Sequence, residues 1–420
     1  MKRIVILGSS GAIPAMIEEI RRNDASCEIT VVLFDQHYPY RRDDFPGFIT
    51  KKISLEEVFC QSKEFYNKHK VDVLCNMKIS SINFRRKRIT TDNKMVIDYD
   101  SLIITEAPDD RFPSIKGVKK EGVLGYKKLG GIESMVNRLM LIDAIVIQSD
   151  SFAGLAAAFA FAKRDKEVLL VSSSRGFLAR CVCRDAASVI VDQLAGMGVR
   201  VIQDSTIVEI LGDKDVKAVR VESGKVFSAQ AVIFAESDSD TRLFSGLKCT
   251  DHGQIVVDKD FKTSVEDVFA VDQIDEGSHI TRQSIVSGNL VSGERLDSEG
   301  NVVAGAINGQ ELALANTVPS SSLAEDQFNV TVIGKVDGTS VHWVPQQESG
   351  KFVGLYTEND ITIGVVLINA QQEQGKYLEY IRSGKNIEQI EEVNLVGSLN
   401  AHSAIGSLNG LDDSIEPVDN

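Results

Sequence analysis

Two short stretches carry residue types that could handle a dinucleotide. The first is Gly8-Ser9-Ser10-Gly11-Ala12-Ile13, followed about twenty residues past the turn by Asp35. Glycines at a strand-to-helix turn let backbone amides approach a pyrophosphate, and an acid after the next strand accepts from a ribose hydroxyl. In a G-x-G-x-x-G frame only Gly8 is kept here, with Ser10 and Ile13 at the other two positions. Ser10 puts a Cβ where the phosphate approaches, and Ile13 is expected to push the helix off the sheet. In the second stretch Ser149 and Ser151 replace glycines and Gly154 remains, while Ala156 stands two residues after that last glycine. The next strand ends in Ser172, which offers no carboxylate for a ribose. Ser172-Ser173-Ser174-Arg175 is open to two readings, an ordinary polar loop or a cradle for a 2′-phosphate.

Each stretch sits where a βαβ unit must place it. Arg3-Ile4-Val5-Ile6-Leu7 is an apolar run of strand length, residues 14–22 read as a helix, and residues 28–34 form a second strand closing at Asp35. The plan recurs from Ala144: a strand over 144–147, an alanine-dense helix over 154–164 and a strand over 167–171. A helix over 184–197, a strand over 199–202, a β-meander over 207–226 and a return strand over 230–235 complete it. Between the units lie a loop rich in aromatics, charge and proline over 38–46 and helical spacing over 55–69. A strand over 71–74, a hairpin over 80–97 and a short strand over 99–105 follow. After the second unit come a buried strand over 267–271, a loop-rich stretch over 275–302 and a helix over 302–315. Residues 317–322 read as a linker to a small sheet (329–333, 340–344, 351–356, 361–368) and a helix over 374–383. This order divides the chain into residues 1–110 with 245–316, residues 111–244, and residues 324–395. The polar, acidic stretch 396–420, part of a segment that repeats Gly-Ser-Leu-Asn, is expected to be a disordered tail.

Composition narrows the function classes. At 420 residues the chain suggests two or three domains, and 43% hydrophobic with 25% charged residues is ordinary for globular proteins. A net charge of −14 argues against nucleic acid or an anionic membrane as the main partner. The basic run Arg85-Arg86-Lys87-Arg88 alternates with Ile82, Phe84 and Ile89, which favours a solvated hairpin edge. No apolar run reaches the ~18 residues of a membrane span, and no signal peptide precedes the first strand, so a soluble cytoplasmic protein is expected. The six cysteines (27, 60, 75, 181, 183, 249) form no C-x-x-C pair, and the six histidines (37, 69, 252, 279, 342, 402) no ligand-spaced pair. Neither a metal site nor a Ser-His-Asp arrangement is indicated.

The motif order resembles the pyridine nucleotide-disulfide oxidoreductase superfamily, closest to the branch of NADH-dependent nitrite reductase and rubredoxin reductase flavoproteins. The resemblance spans roughly residues 1–395. It implies an α/β fold with two Rossmann-like domains, FAD-type and an inserted NAD-type, plus a small C-terminal α+β domain. It places FAD on Gly8, Ser10, Gly11, Ala12 and Asp35, on Tyr40 and Arg42 of a proline-tyrosine-x-arginine loop, on Thr105, and on Asp272 and Gln273. NAD(P)H falls on Ser149, Ser151, Gly154, Ser172 and Arg175. The alanine-threonine-glycine motif reads Ile104-Thr105-Glu106, the second alanine-x-glycine motif Ala235-Glu236-Ser237, and the glycine-aspartate pair Asp272-Gln273. Glu106 near a pyrophosphate would cost on the order of 1–4 kcal/mol. The family's redox cysteines are missing from the first helix and from the 41–46 loop, and Cys60 is expected on the following helix, facing the core. Three functions stay open: an FAD-dependent NAD(P)H oxidoreductase serving a partner protein or small acceptor, a non-catalytic paralogue acting as a structural or regulatory subunit, and an FAD-only electron-transfer subunit. A homodimer through the third domain is implied by the resemblance.

Overall fold

The computed structural model describes residues 1–105, 110–173, 178, 182–235, 238–239, 241–249, 255–258, 260–271, 274–276, 320–325, 328–334, 336, 340–344 and 350–390. The strand Arg3–Leu7 is buried from Ile4 onward and pairs in parallel with Glu28–Val32 on one side and Ser101–Ile104 on the other. Val71–Leu74 and Val268–Ala270 close the two edges of this five-stranded parallel sheet. The helix Ile13–Asn23 begins directly after the turn, with Pro14 in its first turn and Arg21 and Arg22 in its last, as the helix dipole favours. Its face Ile13, Met16, Ile17 and Ile20 is buried in a core shared with Ile6, Val31 and Ile103.

The second unit repeats this order. Ala144–Gln148 lies between Glu167–Val171 and Ala231–Phe234, with Arg200–Ile202 and Val123–Gly125 outside, all parallel. In both sheets the first strand of the βαβ unit is central and the strand order reverses there, making the topological switch point at which such folds bind ligands. Each unit also carries a three-stranded antiparallel sheet: Ile79–Asn83, Arg88–Thr91 and Val96–Asp98 in the first, Ile207–Leu211, Ala218–Val221 and Val226–Ser228 in the second. The basic run lies on the first of these, where Arg88 bonds Asp98 across the strands at 2.7 Å and Lys87 reaches Asp267.

The C-terminal sheet is antiparallel, in the order Ser320–Glu325, Phe328–Gly334, Ile361–Ile368, Phe352–Glu358, Ser340–Val344. Both its faces are covered, which explains the near-continuous apolar run Ile361–Ile368. Val365 and Leu367 pack with Tyr377 of the helix Gln374–Ser383, whereas Val366 and Ile368 join the core of the second unit. The meeting point is the helix Phe152–Ala162, apolar all round and buried throughout Phe152 to Phe161. It lies against its own sheet, the helix Phe45–Thr50 of the first unit and the C-terminal sheet, where Phe159 and Phe328 stack with centroids 6.0 Å apart. A helix buried on every side has no polar face to spare, hence its run of alanine and phenylalanine.

Four sequence expectations change. The 38–46 loop includes a 3-10 turn at Arg42–Asp44 and leads into the helix Phe45–Thr50. The 55–69 segment divides into Leu55–Val58 and Lys63–Lys68, because Phe59 breaks off to pair with Tyr40 and the amide of Cys60 donates to the Pro39 carbonyl. Cys60 is therefore half-buried between helices rather than on one. The 320–322 part of the linker is a strand, since Phe328–Gly334 needs a partner on its open edge. Ile13, finally, is fully buried in the core, filling the space between helix and sheet. The helix over 302–315, the 275–302 loop and the tail lie outside the described residues, apart from the strand Ile274–Glu276.

Candidate dinucleotide sites

At the first turn Gly8 has φ +107°, a left-handed conformation that favours glycine, and its amide donates to the Val32 carbonyl. Ser10 fills the place of the second glycine, only 3% exposed. Its hydroxyl accepts from the Ala12 amide at 3.2 Å, and its carbonyl accepts from the Ile13 amide at 3.2 Å. Pro14 has no amide to offer, so the start of the helix is partly served by Ser10 itself. The Ser10 proton has no acceptor among the described residues and is available to an oxygen anion. Gly11 lies alongside, at the rim of a cavity of about 260 Å³ that Pro14, Arg22, Arg41 and Cys60 also line. Thr105 is fully buried, and its amide and hydroxyl both donate to the Leu7 carbonyl at 2.8 Å. It latches the third switch-point strand to the first.

Asp35 is engaged by groups of its own chain. Its carboxylate accepts from the Gln36 amide at 2.6 Å, the Gly130 amide at 3.1 Å and His37 Nδ1 at 3.0 Å. Gly130 opens the helix Leu129–Arg138, and a Cβ there would stand 3.0 Å from Asp35 Oδ1, so glycine is what admits the carboxylate. The other ring nitrogen of His37, Nε2, meets Glu133 on the same helix at 2.9 Å. His37 is held between two carboxylates, and the hydrogen bond with Asp35, followed by the charges of Asp35 and Glu133, raises its pKa above the ordinary histidine value. Burial pushes the Asp35 carboxyl up, but the bonds from His37 and Gly130 prevail and hold it below the usual carboxylate range. Tyr40 joins the same contact. Its hydroxyl accepts from the Leu129 amide at 3.2 Å and donates to the Lys127 carbonyl at 3.3 Å, with its ring between Phe45 and the 126–129 segment. Two residues matched to the flavin site thus cap a helix that leads into the second unit. Arg42 stands half-buried in the 3-10 turn beside them.

At the second turn the helix Phe152–Ala162 is capped by Ser151, whose hydroxyl accepts from the Gly154 amide at 3.4 Å. Ser149 Oγ accepts from the Ser151 amide at 3.0 Å and shares a hydrogen bond with Ser151 Oγ at 2.9 Å. Gly154 keeps the role of the third glycine, for a Cβ there would fall 2.2 Å from Ser149 Cβ. The close helix–strand approach that a dinucleotide turn needs is therefore present. Ser172 is fully buried at the end of its strand and donates to Asp150, and Ser173 gives Asp150 both its amide, at 2.9 Å, and its hydroxyl, at 2.6 Å. These donors serve a carboxylate, while Ser174 and Arg175, the rest of this loop, lie outside the described residues.

Arg175, Asp272, Gln273, Glu106, Glu236, Ser237 and Cys181 lie outside the described residues. His37, Gly130, Glu133 and Asp150 were missed by sequence reasoning. The Gly130-Gly131 pair at a helix start was the one available signal, while the His37–Glu133 contact joins residues 96 apart in the chain. Among the described residues no cluster of His, Cys, Asp and Glu could hold a metal ion, and no helix is long and apolar enough to cross a membrane.

Two parallel sheets of this order, each with a strand–turn–helix at its switch point, define a fold with two dinucleotide-type units. The chain belongs to the pyridine nucleotide-disulphide oxidoreductase family, whose family model matches residues 2–278. It is 22% identical over 394 residues to the assimilatory nitrate reductase electron transfer subunit of Bacillus subtilis, covering 92% of this chain and 50% of that protein. It is 24% identical over 290 residues to the NAD(P)H nitrite reductase of Emericella nidulans, covering 64% of this chain and 26% of that protein. The chain thus spans half or less of the length of these two relatives. The reductase in the covalent putidaredoxin reductase–putidaredoxin complex is similar in structure, with a TM-score of 0.78 at 18% identity over 91% of this chain and 93% of that one.

Proposed function

We propose that the chain is a flavoprotein reductase of its family, with FAD in the first unit, NAD(P)H in the second, and a partner protein or small acceptor receiving the electrons. The observation that carries this reading is the preserved strand–turn–helix at both switch points, with Gly8 in its left-handed conformation and Gly154 in close helix–strand contact. The replaced glycines that face an incoming phosphate are serines, which keep a donor at the turn. Gly8, Ser10, Gly11 and Ala12 would hold the pyrophosphate of FAD, and Ser149, Ser151 and Gly154 that of the nicotinamide nucleotide. FAD, when bound, supplies hydride acceptance and onward electron transfer. The protein's own contribution is to bind, orient and exclude water through the turns and the buried helix Phe152–Ala162. The boundaries 1–110 with 245–316, 111–244 and 324–395 describe the three working parts, the last beginning nearer Ser320. A redox partner is in keeping with the electron-transfer subunit and the putidaredoxin complex among its relatives. A homodimer through the C-terminal domain rests on the family resemblance.

A second reading, a non-catalytic structural or regulatory subunit, is favoured by one observation: Asp35 and Tyr40 are committed to helix Leu129–Arg138. A visible spectrum separates the two. A flavin absorption band, retained or gained on incubation with FAD and bleached anaerobically by NADH or NADPH, supports the reductase. Protein that stays colourless after incubation refutes it in favour of the second reading, and flavin indifferent to both nicotinamides leaves an FAD-only electron-transfer subunit.

A further inference from the structure

We propose that Asp150 sets the nicotinamide preference of the second unit, selecting the dinucleotide with a free ribose 2′-hydroxyl over its 2′-phosphorylated counterpart. This rests on the reading of that unit as a nicotinamide site. In a βαβ unit the strand after the helix ordinarily ends in an acid that accepts from the ribose 2′-hydroxyl, whereas a nearby arginine accommodates a 2′-phosphate. Here that strand, Glu167–Val171, is followed by buried Ser172 and brings no acid.

The carboxylate comes from the turn instead. Asp150 stands between the two turn serines and is 7% exposed. One of its oxygens accepts from the Ser172 hydroxyl, and the other from the Ser173 amide and hydroxyl. These bonds fix a negative charge at the end of the strand, where a strand-borne acid would stand. They have a second consequence. A 2′-phosphate needs donors, and here the Ser172 hydroxyl and the Ser173 amide and hydroxyl are already given to Asp150, and the Ser172 amide to the Ile202 carbonyl. A dianion brought to this place would meet a held carboxylate in a buried setting, where salt and water screen poorly. A ribose hydroxyl, a donor as well as an acceptor, meets no such repulsion.

The test is direct binding of NADH and of NADPH to the full chain, by isothermal titration calorimetry, which needs no turnover. NADH is expected to bind at least about tenfold more tightly than NADPH. Asp150→Asn, which keeps the shape and removes the charge, should narrow that ratio by strengthening NADPH. Asp150→Ser should do the same, with thermal melting to verify that each variant is folded. NADPH binding as tightly as NADH, or a ratio unmoved in both folded variants, overturns the assignment while leaving the nicotinamide site standing. Failure of both nucleotides to bind overturns the assignment and the nicotinamide site together.

Discussion

Replacing His37 with alanine removes a side chain that bonds carboxylates on both sides of the contact between the first unit and helix Leu129–Arg138. In the folded protein its two ring nitrogens meet Asp35 at 3.0 Å and Glu133 at 2.9 Å, and only 8% of the side chain is exposed. Hydrogen bonds to charged groups contribute roughly 1.5–3 kcal/mol each. Asp35 keeps the Gly130 and Gln36 amides after the substitution, and Glu133, 25% exposed, can turn toward water. Much of one bond is recovered in this way, so the net loss at mildly acid pH is about 2–3 kcal/mol. The sign of the pH dependence follows from the raised folded-state pKa of His37. Its contribution is fully present below the ordinary histidine value and is lost as pH rises through the higher folded value. Urea unfolding of wild type and His37→Ala at about pH 6 and about pH 9 measures both features, since a gap of about 2–3 kcal/mol at the lower pH should shrink at the higher. His37→Gln, which cannot become charged, should show the same flat pH response as alanine. A gap below about 0.5 kcal/mol at the lower pH, or one equal at both, refutes the ionic clamp.

Two further substitutions probe the packing of the three parts. Gly154→Ala would place a Cβ 2.2 Å from that of Ser149 in a helix backed by Phe45–Thr50 and Phe328, leaving it nowhere to retreat. A loss of about 1–3 kcal/mol is expected by denaturant unfolding, against no loss for Gly196→Ala, where a Cβ meets nothing within 4 Å. Tyr356→Phe removes the hydroxyl that accepts from the Cys183 amide at 2.6 Å and joins the C-terminal sheet to helix Arg184–Gly196. The stranded amide should cost about 1–3 kcal/mol, and an unchanged unfolding midpoint would mean that water or another group serves it.

Local signals in the chain settled the plan of the molecule. The apolar run Arg3–Leu7, the turn beginning at Gly8, Pro14 in the first turn of a helix and the repeat of that pattern from Ala144 specify two parallel units, because strand and helix periodicity and turn chemistry act over a few residues. The same locality limits what can be read about ends and edges. Nothing between 55 and 69 shows that Phe59 will leave its helix to pair with Tyr40, and nothing in a serine-rich stretch shows that 320–322 will be needed as a strand beside Phe328–Gly334.

The sites divide along the same line. Gly8, Ser10, Asp35, Ser149, Ser151 and Gly154 were identifiable in the sequence as the residues at two dinucleotide turns, since their spacing to strand and helix is local. What those residues bond to was decided by the tertiary structure. Asp35 turns to Gly130 and His37, Tyr40 to Leu129, and Asp150 to Ser172 and Ser173. Most of these partners arrive from other elements, up to 95 residues away, because a buried carboxylate or hydroxyl must find donors and acceptors wherever the packed units bring them. Residue type and spacing thus located the two turns, and the need to satisfy buried polar groups fixed what each turn can hold.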